Sequence, residues 1–141
     1  MSDILDQANE HDVEDIDSMF PELTKHHKWL IRASTIERIG DLRLRRHVLP
    51  VKACLKDKHP VVRAFALMAY HNLLGSKALP AIEEACGTDN VGLRFTALAL
   101  HYAETGDEET LDKFSRILTT KQHHPKNQHI TVNIFDRYYM T

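Results

Sequence analysis

Apolar residues in the middle of the chain recur with the spacing of one face of an α-helix. After Pro60 they fall three and four residues apart, as in a helix buried along one side. These positions are Val62, Phe65, Ala66, Ala69, Tyr70 and Leu73. Gly75 then stands where a glycine commonly ends a helix, and Asp57 stands where a cap is expected. A shorter stripe follows at Leu79, Ile82 and Cys86. The pattern predicts a helix, a short turn and a second helix.

The same unit recurs on both sides at a fixed period. Arg32, Arg63 and Arg94 are evenly spaced and define that period, and each follows an apolar residue and precedes an apolar stripe. Downstream, Gly106 matches Gly75, and we expect Thr88 and Asp89 to cap the helix. The downstream stripes are Leu93, Thr96, Ala97, Leu100 and Ala103, then Leu111, Phe114, Ile117 and Leu118. A fixed period of this length indicates an array of helix pairs.

The upstream copy is less regular than the other two. Its stripes are Trp29, Leu30, Ala33, Ile36 and Ile39, then Val48, Val51 and Leu55. Gly40 comes earlier in its copy than Gly75 and Gly106 come in theirs, so the turn at 40–47 has no regular prediction. We therefore predict an all-α protein, a short right-handed α-α superhelix of three helix pairs near 25–57, 58–88 and 89–120.

The two ends of an open array need caps. We predict a capping helix over 121–141, although the β-branched run Ile130-Thr131-Val132 lowers helix propensity there. Residues 1–24 form an acidic N-terminal arm or cap. Residues 1–17 are compatible either with short capping helices or with a disordered acidic arm.

The central unit resembles the HEAT repeat, and more closely the short HEAT-like repeats of phycobilisome lyases. The resemblance rests on the run from Asp57 to Ala66, which contains Val62-Arg63, on Leu74-Gly75 and on Leu79-Pro80. It covers residues 28–120. The third copy has Gly92-Leu93-Arg94 in place of Val-Val-Arg, and the first lacks the acidic turn residue. Such a resemblance carries fold information and little about function.

The resemblance implies a role for the periodic arginines. In HEAT arrays, a turn aspartate and a helix arginine of neighbouring repeats form a ladder of polar contacts. Carried over, the ladder consists of Arg32, Arg63, Arg94, Asp57 and Asp89. The alternative is a phosphate-binding row, which would require the arginines to face solvent together.

Charge is segregated along the chain, although the net charge is only −2. Residues 1–24 hold eight acids and no Lys or Arg, whereas residues 25–63 hold eleven bases and three acids. The bases expected to contact a partner are Arg43, Arg45, Arg46, Lys52 and Lys56, since second helices line the concave face of HEAT superhelices. Trp29 is a candidate anchor at an interface, with packing against the N-terminal cap as the alternative.

We call these five residues the basic block, and the sequence leaves open what binds to them. An acidic protein segment, the chain's own N-terminal block and nucleic acid phosphates would each be attracted to it. Scattered, solvated charges are the remaining option. Against nucleic acid, the whole chain is not basic, and few aromatic residues are interleaved for base stacking.

Chemistry-bearing motifs are weak. The adjacent pairs His26-His27 and His123-His124 cannot easily share one metal ion, and no His-x-x-x-His or Cys-x-x-Cys spacing occurs. Cys54 and Cys86 lie near apolar stripes, which favours buried thiols over a nucleophile. The chain has no His-Glu dipeptide, which argues against the metalloenzymes among short HEAT-like relatives. We expect no metal, no cofactor and no catalytic residue.

The function expected from these patterns is non-catalytic binding. The chain is interpreted as a small adaptor or inhibitor that grips a partner protein, in the cytoplasm and away from membranes, since acids dominate its start and its two cysteines form no disulfide framework. Nucleic-acid binding along the basic strip is the second hypothesis. An accessory subunit of an enzyme complex is the third.

Overall fold

The computed structural model describes residues 16–119, and their regular secondary structure is helical. The α-helices, in chain order, are α1 (Phe20–Leu23), α2 (Trp29–Asp41), α3 (Val48–Cys54), α4 (Pro60–Leu74), α5 (Leu79–Cys86), α6 (Val91–Thr105) and α7 (Glu108–Thr119). Short 3-10 turns, Arg45–His47 and Gly75–Ala78, lead into α3 and α5. The all-α prediction is confirmed for this part of the chain.

The period of the three arginines is also the period of the helix starts. The longer helices α2, α4 and α6 begin at Trp29, Pro60 and Val91, and the shorter helices α3 and α5 begin at Val48 and Leu79. Gly75 and Gly106 end α4 and α6 with positive φ angles of 61° and 69°, a region that glycine adopts without strain. The repeat in the amino-acid sequence is therefore also a repeat of the backbone structure.

The expected helix caps were wrong at both turns. The cap of α4 is His59, whose Nδ1 accepts a hydrogen bond from the Val61 amide at 3.2 Å, and Asp57 instead accepts from the His59 amide at 2.9 Å. The cap of α6 is Asn90, whose Oδ1 accepts from the Leu93 amide at 2.9 Å. Thr88 and Asp89 lie before it. A histidine nitrogen and an asparagine oxygen can both accept a hydrogen bond from a free backbone amide. The residue directly before the first helical residue therefore becomes the cap.

The long helices pack in series and the short helices lie against them. The contacts run α2 to α4 and α4 to α6, while α3 packs on α4, and α5 and α7 pack on α6. One core cluster joins α1 to α4 and includes Phe20, Ile36, Ile39, Val51 and Val62. A second joins α4, α5 and α6 and includes Leu67, Met68, Ile82, Leu93 and Leu100. In the third, the Phe95 and Phe114 rings lie 4.1 Å apart and hold α7 on α6.

Gly40 has a different role from the other matched glycines. It is buried inside α2, and a Cβ added there would lie 2.9 Å from the Cα and Cβ atoms of Ala69 in α4. The turn after α2 passes instead through Arg43, which has a φ angle of 55°. The displaced glycine thus marks a close approach of two helices, one residue before α2 ends at Asp41.

Parts of the predicted stripes are exposed, since Leu30 and Leu118 keep 60% and 59% of their surface accessible. The predicted C-terminal capping helix lies outside the described residues, and so do residues 1–15. Of the predicted N-terminal cap, α1 is described, and its Phe20 is buried against the first core cluster.

Candidate functional site

The three periodic arginines make the same backbone contact. In each, Nη1 donates to the carbonyl oxygen of the residue six positions earlier: Arg32 to His26 at 2.8 Å, Arg63 to Asp57 at 2.8 Å and Arg94 to Thr88 at 3.1 Å. Each arginine therefore ties its helix to the turn that precedes it. The contact leaves Nε and Nη2 available for a second partner.

At the junction between the first and second helix pairs, Asp57 is that second partner. Arg32 donates from Nε to Oδ2 at 2.8 Å and from Nη2 to Oδ1 at 2.9 Å, a two-pronged contact, and Arg32 is 5% exposed. Burial raises the pKa of Asp57, but the hydrogen bonds from Arg32 and from the His59 amide outweigh burial and leave it below its usual range. The hydrogen bond with Asp57 raises the pKa of Arg32.

At the junction between the second and third pairs, the corresponding acid is missing. One period separates Arg32 from Arg63, and the same period leads from Asp57 to Thr88. Within residues 16–119, the side chain of Arg63 has one hydrogen bond, the one to the Asp57 carbonyl, and Asp89 makes no ion pair with it. Asp89 is exposed. Of the polar ladder expected from the resemblance, the arginine–aspartate ion pair is present at Arg32 and is not formed at Arg63 within residues 16–119. We call the first junction closed and the second open.

A groove lies beside the open junction. It has a volume of about 510 Å³ and lies between α3 and α5, with α4 behind it. Its apolar lining comes from Leu55, Leu67, Tyr70, Pro80, Ala81, Ala85 and Leu93. Its cationic lining comes from Lys52, Lys56 and Arg63, against one acid, Glu84, and Thr88 completes it. Glu84 makes no ion pair with any residue of the described range. An apolar groove with an excess of positive charge suits an acidic, partly apolar ligand.

Two of the five predicted basic residues line this groove. Lys52 and Lys56 line the groove and are exposed, with the exposed Leu49 one helical turn before Lys52. Arg43 and Arg45 are exposed too, and Arg43 donates from Nη1 to the Asn72 carbonyl at 3.2 Å. Arg43, Arg45 and Arg46 are not part of the groove lining.

Arg46 is engaged by the acidic N-terminal block. Its Nε donates to Oδ2 of Asp17 at 2.7 Å, and Nε2 of the buried His47 lies 2.7 Å from Oδ1 of the same carboxylate. Burial raises the pKa of Asp17, but the hydrogen bonds from Arg46 and His47 outweigh burial and lower it. Asp17, one acid of residues 1–24, thus pairs with Arg46, one of the five predicted bases.

Trp29 stacks on a ring of the next helix pair. Its centroid lies 4.2 Å from that of His59 with an interplanar angle of 14°, while 41% of Trp29 stays exposed. The ring contact that the structure describes is therefore with the cap of α4 and not with the N-terminal cap. Burial lowers the pKa of His59, with Asp57 opposing and Arg32 and Arg63 adding to that effect.

The two thiols, His71 and His101 occupy structural positions. Burial raises the pKa of Cys54 to about 11, and burial also raises the pKa of Cys86. His71 bonds Glu104 at 2.9 Å across α4 and α6, and His101 bonds Thr110 at 2.8 Å across α6 and α7. Over residues 16–119, no group of three His, Cys, Asp or Glu side chains is placed to hold a metal ion.

Sequence reasoning named Arg63 and expected Thr88 to be a helix cap, but it missed the groove that both residues line. The available signal was the sequence offset from Arg32 to Asp57, since the same offset leads from Arg63 to Thr88 rather than to Asp89.

No helix in the described part of the chain is both long and apolar enough to cross a bilayer. No family model, curated protein or solved structure matches this chain.

Proposed function

We propose that this chain is a HEAT-like repeat protein that binds an acidic, partly apolar segment of a partner protein and performs no chemistry on it. The observation that carries the proposal is the groove between α3 and α5, in which three cations surround an apolar lining. The partner segment would lie along the groove, with its apolar side chains against Leu55 and Leu67 and its acids towards Lys52, Lys56 and Arg63.

The architecture supports an array of repeats. The helix starts keep the period of the arginines, and α2, α4 and α6 pack in series. Short helices lie against that series and leave a groove between α3 and α5. A short superhelical solenoid would present these short helices along one face, as HEAT arrays do, and we include that arrangement in the proposal.

The charges favour a protein segment over nucleic acid. Phosphate backbones are held by rows of free cations, whereas Asp17 engages Arg46 and the Asn72 carbonyl engages Arg43. The groove lining has one tyrosine and no other aromatic residue for base stacking. The raised pKa values of Cys54 and Cys86 keep both as thiols, which supports a binding role over nucleophilic catalysis. A reducing compartment, such as the cytoplasm, fits these free cysteines and stays part of the proposal.

The test uses two defined kinds of probe. The first is a panel of fluorescent peptides that combine leucine with glutamate at different spacings in a neutral background, and the second is single-stranded and duplex oligonucleotides of matched charge. Fluorescence anisotropy is measured at low and at physiological salt. We expect a subset of the peptides to bind and to outcompete the oligonucleotides.

A matched pair of charge reversals locates the site. Lys52→Glu with Lys56→Glu should weaken peptide binding about tenfold, since two cations at the groove are inverted. The control is Lys77→Glu with Lys113→Glu, which makes the same charge change at exposed positions outside the groove and should leave peptide affinity close to wild type. Equal losses in both double variants, or binding of oligonucleotides alone, would refute the proposal.

A further inference from the structure

Arg32 and Arg63 occupy the same position in successive repeats, but among residues 16–119 a carboxylate pairs with Arg32 and none pairs with Arg63. Asp57 meets Arg32 with both of its oxygens, at 2.8 and 2.9 Å. The residue one period after Asp57 is Thr88, which has no charge to offer Arg63. Among residues 16–119, these two junctions thus contain one occupied and one unoccupied copy of the same arginine–carboxylate arrangement.

The guanidinium of Arg63 is held in place while part of it stays unused. Nη1 donates to the Asp57 carbonyl at 2.8 Å, the same tie that orients Arg32 through His26. Nε and Nη2, the two groups that hold the carboxylate in Arg32, have no acceptor among residues 16–119. Arg63 is half-buried and lines the groove together with Thr88. A fixed, partly desolvated donor pair of this kind is suited to bidentate recognition of a planar carboxylate.

We propose that the groove reads a glutamate or aspartate of the partner segment, whose carboxylate docks on Nε and Nη2 of Arg63 as Asp57 docks on Arg32. This inference rests on the proposed function and names the chemistry that the partner must supply. The neighbouring apolar side chain of the segment packs between Leu55 and Leu93, both of which line the same groove. In this arrangement Lys52 and Lys56 attract the acidic segment electrostatically, and Arg63 orients one of its carboxylates.

Arg94 provides the matched control inside the same chain. Its Nη1 makes the same tie, to the Thr88 carbonyl at 3.1 Å, but it is not part of the groove lining. A general requirement for a periodic arginine would affect Arg63 and Arg94 alike. Carboxylate reading in the groove requires Arg63 alone.

The first experiment compares a peptide from the binding panel with its Glu→Gln counterpart. On the wild-type chain, loss of the carboxylate should weaken binding about tenfold, in line with a charge-assisted bidentate contact. On Arg63→Gln and on Thr88→Asp the difference between the two peptides should disappear. Arg63→Gln removes the guanidinium that would bind the peptide carboxylate. Thr88→Asp supplies an internal carboxylate that would occupy the guanidinium instead. Arg94→Gln should keep the full difference.

The second experiment observes the guanidinium directly. In a ¹⁵N-labelled chain, addition of the glutamate peptide should shift the Nε–Hε resonance of Arg63 and leave that of Arg32 in place, because Asp57 already occupies Arg32. The Gln peptide should leave the Arg63 resonance close to its free position. This readout also reveals whether each variant is folded before its affinity is interpreted.

The outcomes separate the two proposals. If the peptide binds and depends on Lys52 and Lys56, but the glutamate preference survives in Arg63→Gln and Thr88→Asp, the carboxylate is read elsewhere and this inference fails alone. If no peptide of the panel binds, both proposals fail. Loss of the preference in the two groove variants, with its retention in Arg94→Gln, supports both.

Discussion

The two junctions between successive helix pairs share one backbone design and differ in how it is completed. At the first, Arg32 and Asp57 close the turn from within the chain, and Trp29 stacks across it on His59. At the second, Arg63 has the same backbone tie, but Thr88 replaces the acid and a groove lies beside it. The same position of the repeat thus holds a closed ion pair in one copy and, among the described residues, a guanidinium without a carboxylate in the next.

The largest expected effect comes from opening the closed junction. Asp57→Ala leaves the buried Arg32 without its carboxylate and removes the acceptor for the His59 amide, so we expect a loss of about 3 kcal/mol in the free energy of unfolding. Urea denaturation at neutral pH measures it. Thr88→Ala, the matched change at the open junction, should cost about 0.5 kcal/mol or less.

The pH dependence of that loss has a definite sign. The folded-state pKa of Asp57 is lowered, so its contribution is present above the unfolded pKa of about 3.9 and disappears as pH falls through the folded value. The gap between wild type and Asp57→Ala should therefore narrow in acid below that point. A gap that stays constant into strong acid would contradict an ionic origin.

The next effect concerns helix separation at the first junction. Gly40→Ala places a methyl group 2.9 Å from two atoms of Ala69, so α2 and α4 must move apart. We expect a net loss of about 2 kcal/mol, because overpacking outweighs the helix propensity gained from alanine. The control is Gly87→Ala at the second junction, where φ is −95° and the added Cβ would meet only the Glu84 carbonyl oxygen at 3.7 Å. Thermal unfolding should show a lowered midpoint for Gly40→Ala alone.

These two junctions also show how far the sequence could be interpreted. The helix positions could be predicted from the spacing of apolar residues, because a helix that buries one face needs apolar residues three and four positions apart. Gly40 lies off the glycine position of the other two copies because it serves a close approach between two helices, which a sequence pattern does not distinguish from a turn. The caps were missed because several polar residues compete at each turn. Arg32 and Asp57 lie far apart in sequence, and their pairing became visible only in the folded structure. Once that contact is known, the repeat period identifies Thr88 as the residue equivalent to Asp57.

A smaller effect comes from closing the open junction. Thr88→Asp should raise the free energy of unfolding by about 1 kcal/mol, because its carboxylate can accept from the unused donors of Arg63 at a half-buried position. Chemical denaturation measures the gain. The gain should vanish when Arg63→Gln is added to the same chain, and persistence of the gain without Arg63 would show that the pairing is not its source.

The smallest effect distinguishes the caps of the two junctions. His59 caps α4 through Nδ1, which can accept the Val61 amide only in the neutral ring, whereas Asn90 does the same for α6 at any pH. Burial, opposed by Asp57 and reinforced by Arg32 and Arg63, lowers the pKa of His59 in the folded chain. The unfolded chain therefore binds more protons near pH 6, so this contribution is complete above the unfolded pKa of about 6.5 and is lost as pH falls towards the folded value.

Replacing the histidine cap with asparagine isolates that contribution. His59→Asn should leave stability at pH 8 within about 0.5 kcal/mol of wild type, because asparagine is itself a good cap. It should also remove part of the decline in stability between neutral and mildly acidic pH. Denaturant titrations of both proteins across that range give the difference, from which other groups that titrate alike in both chains cancel. Parallel declines would show that protonation of His59 is not coupled to folding and that the two caps are equivalent.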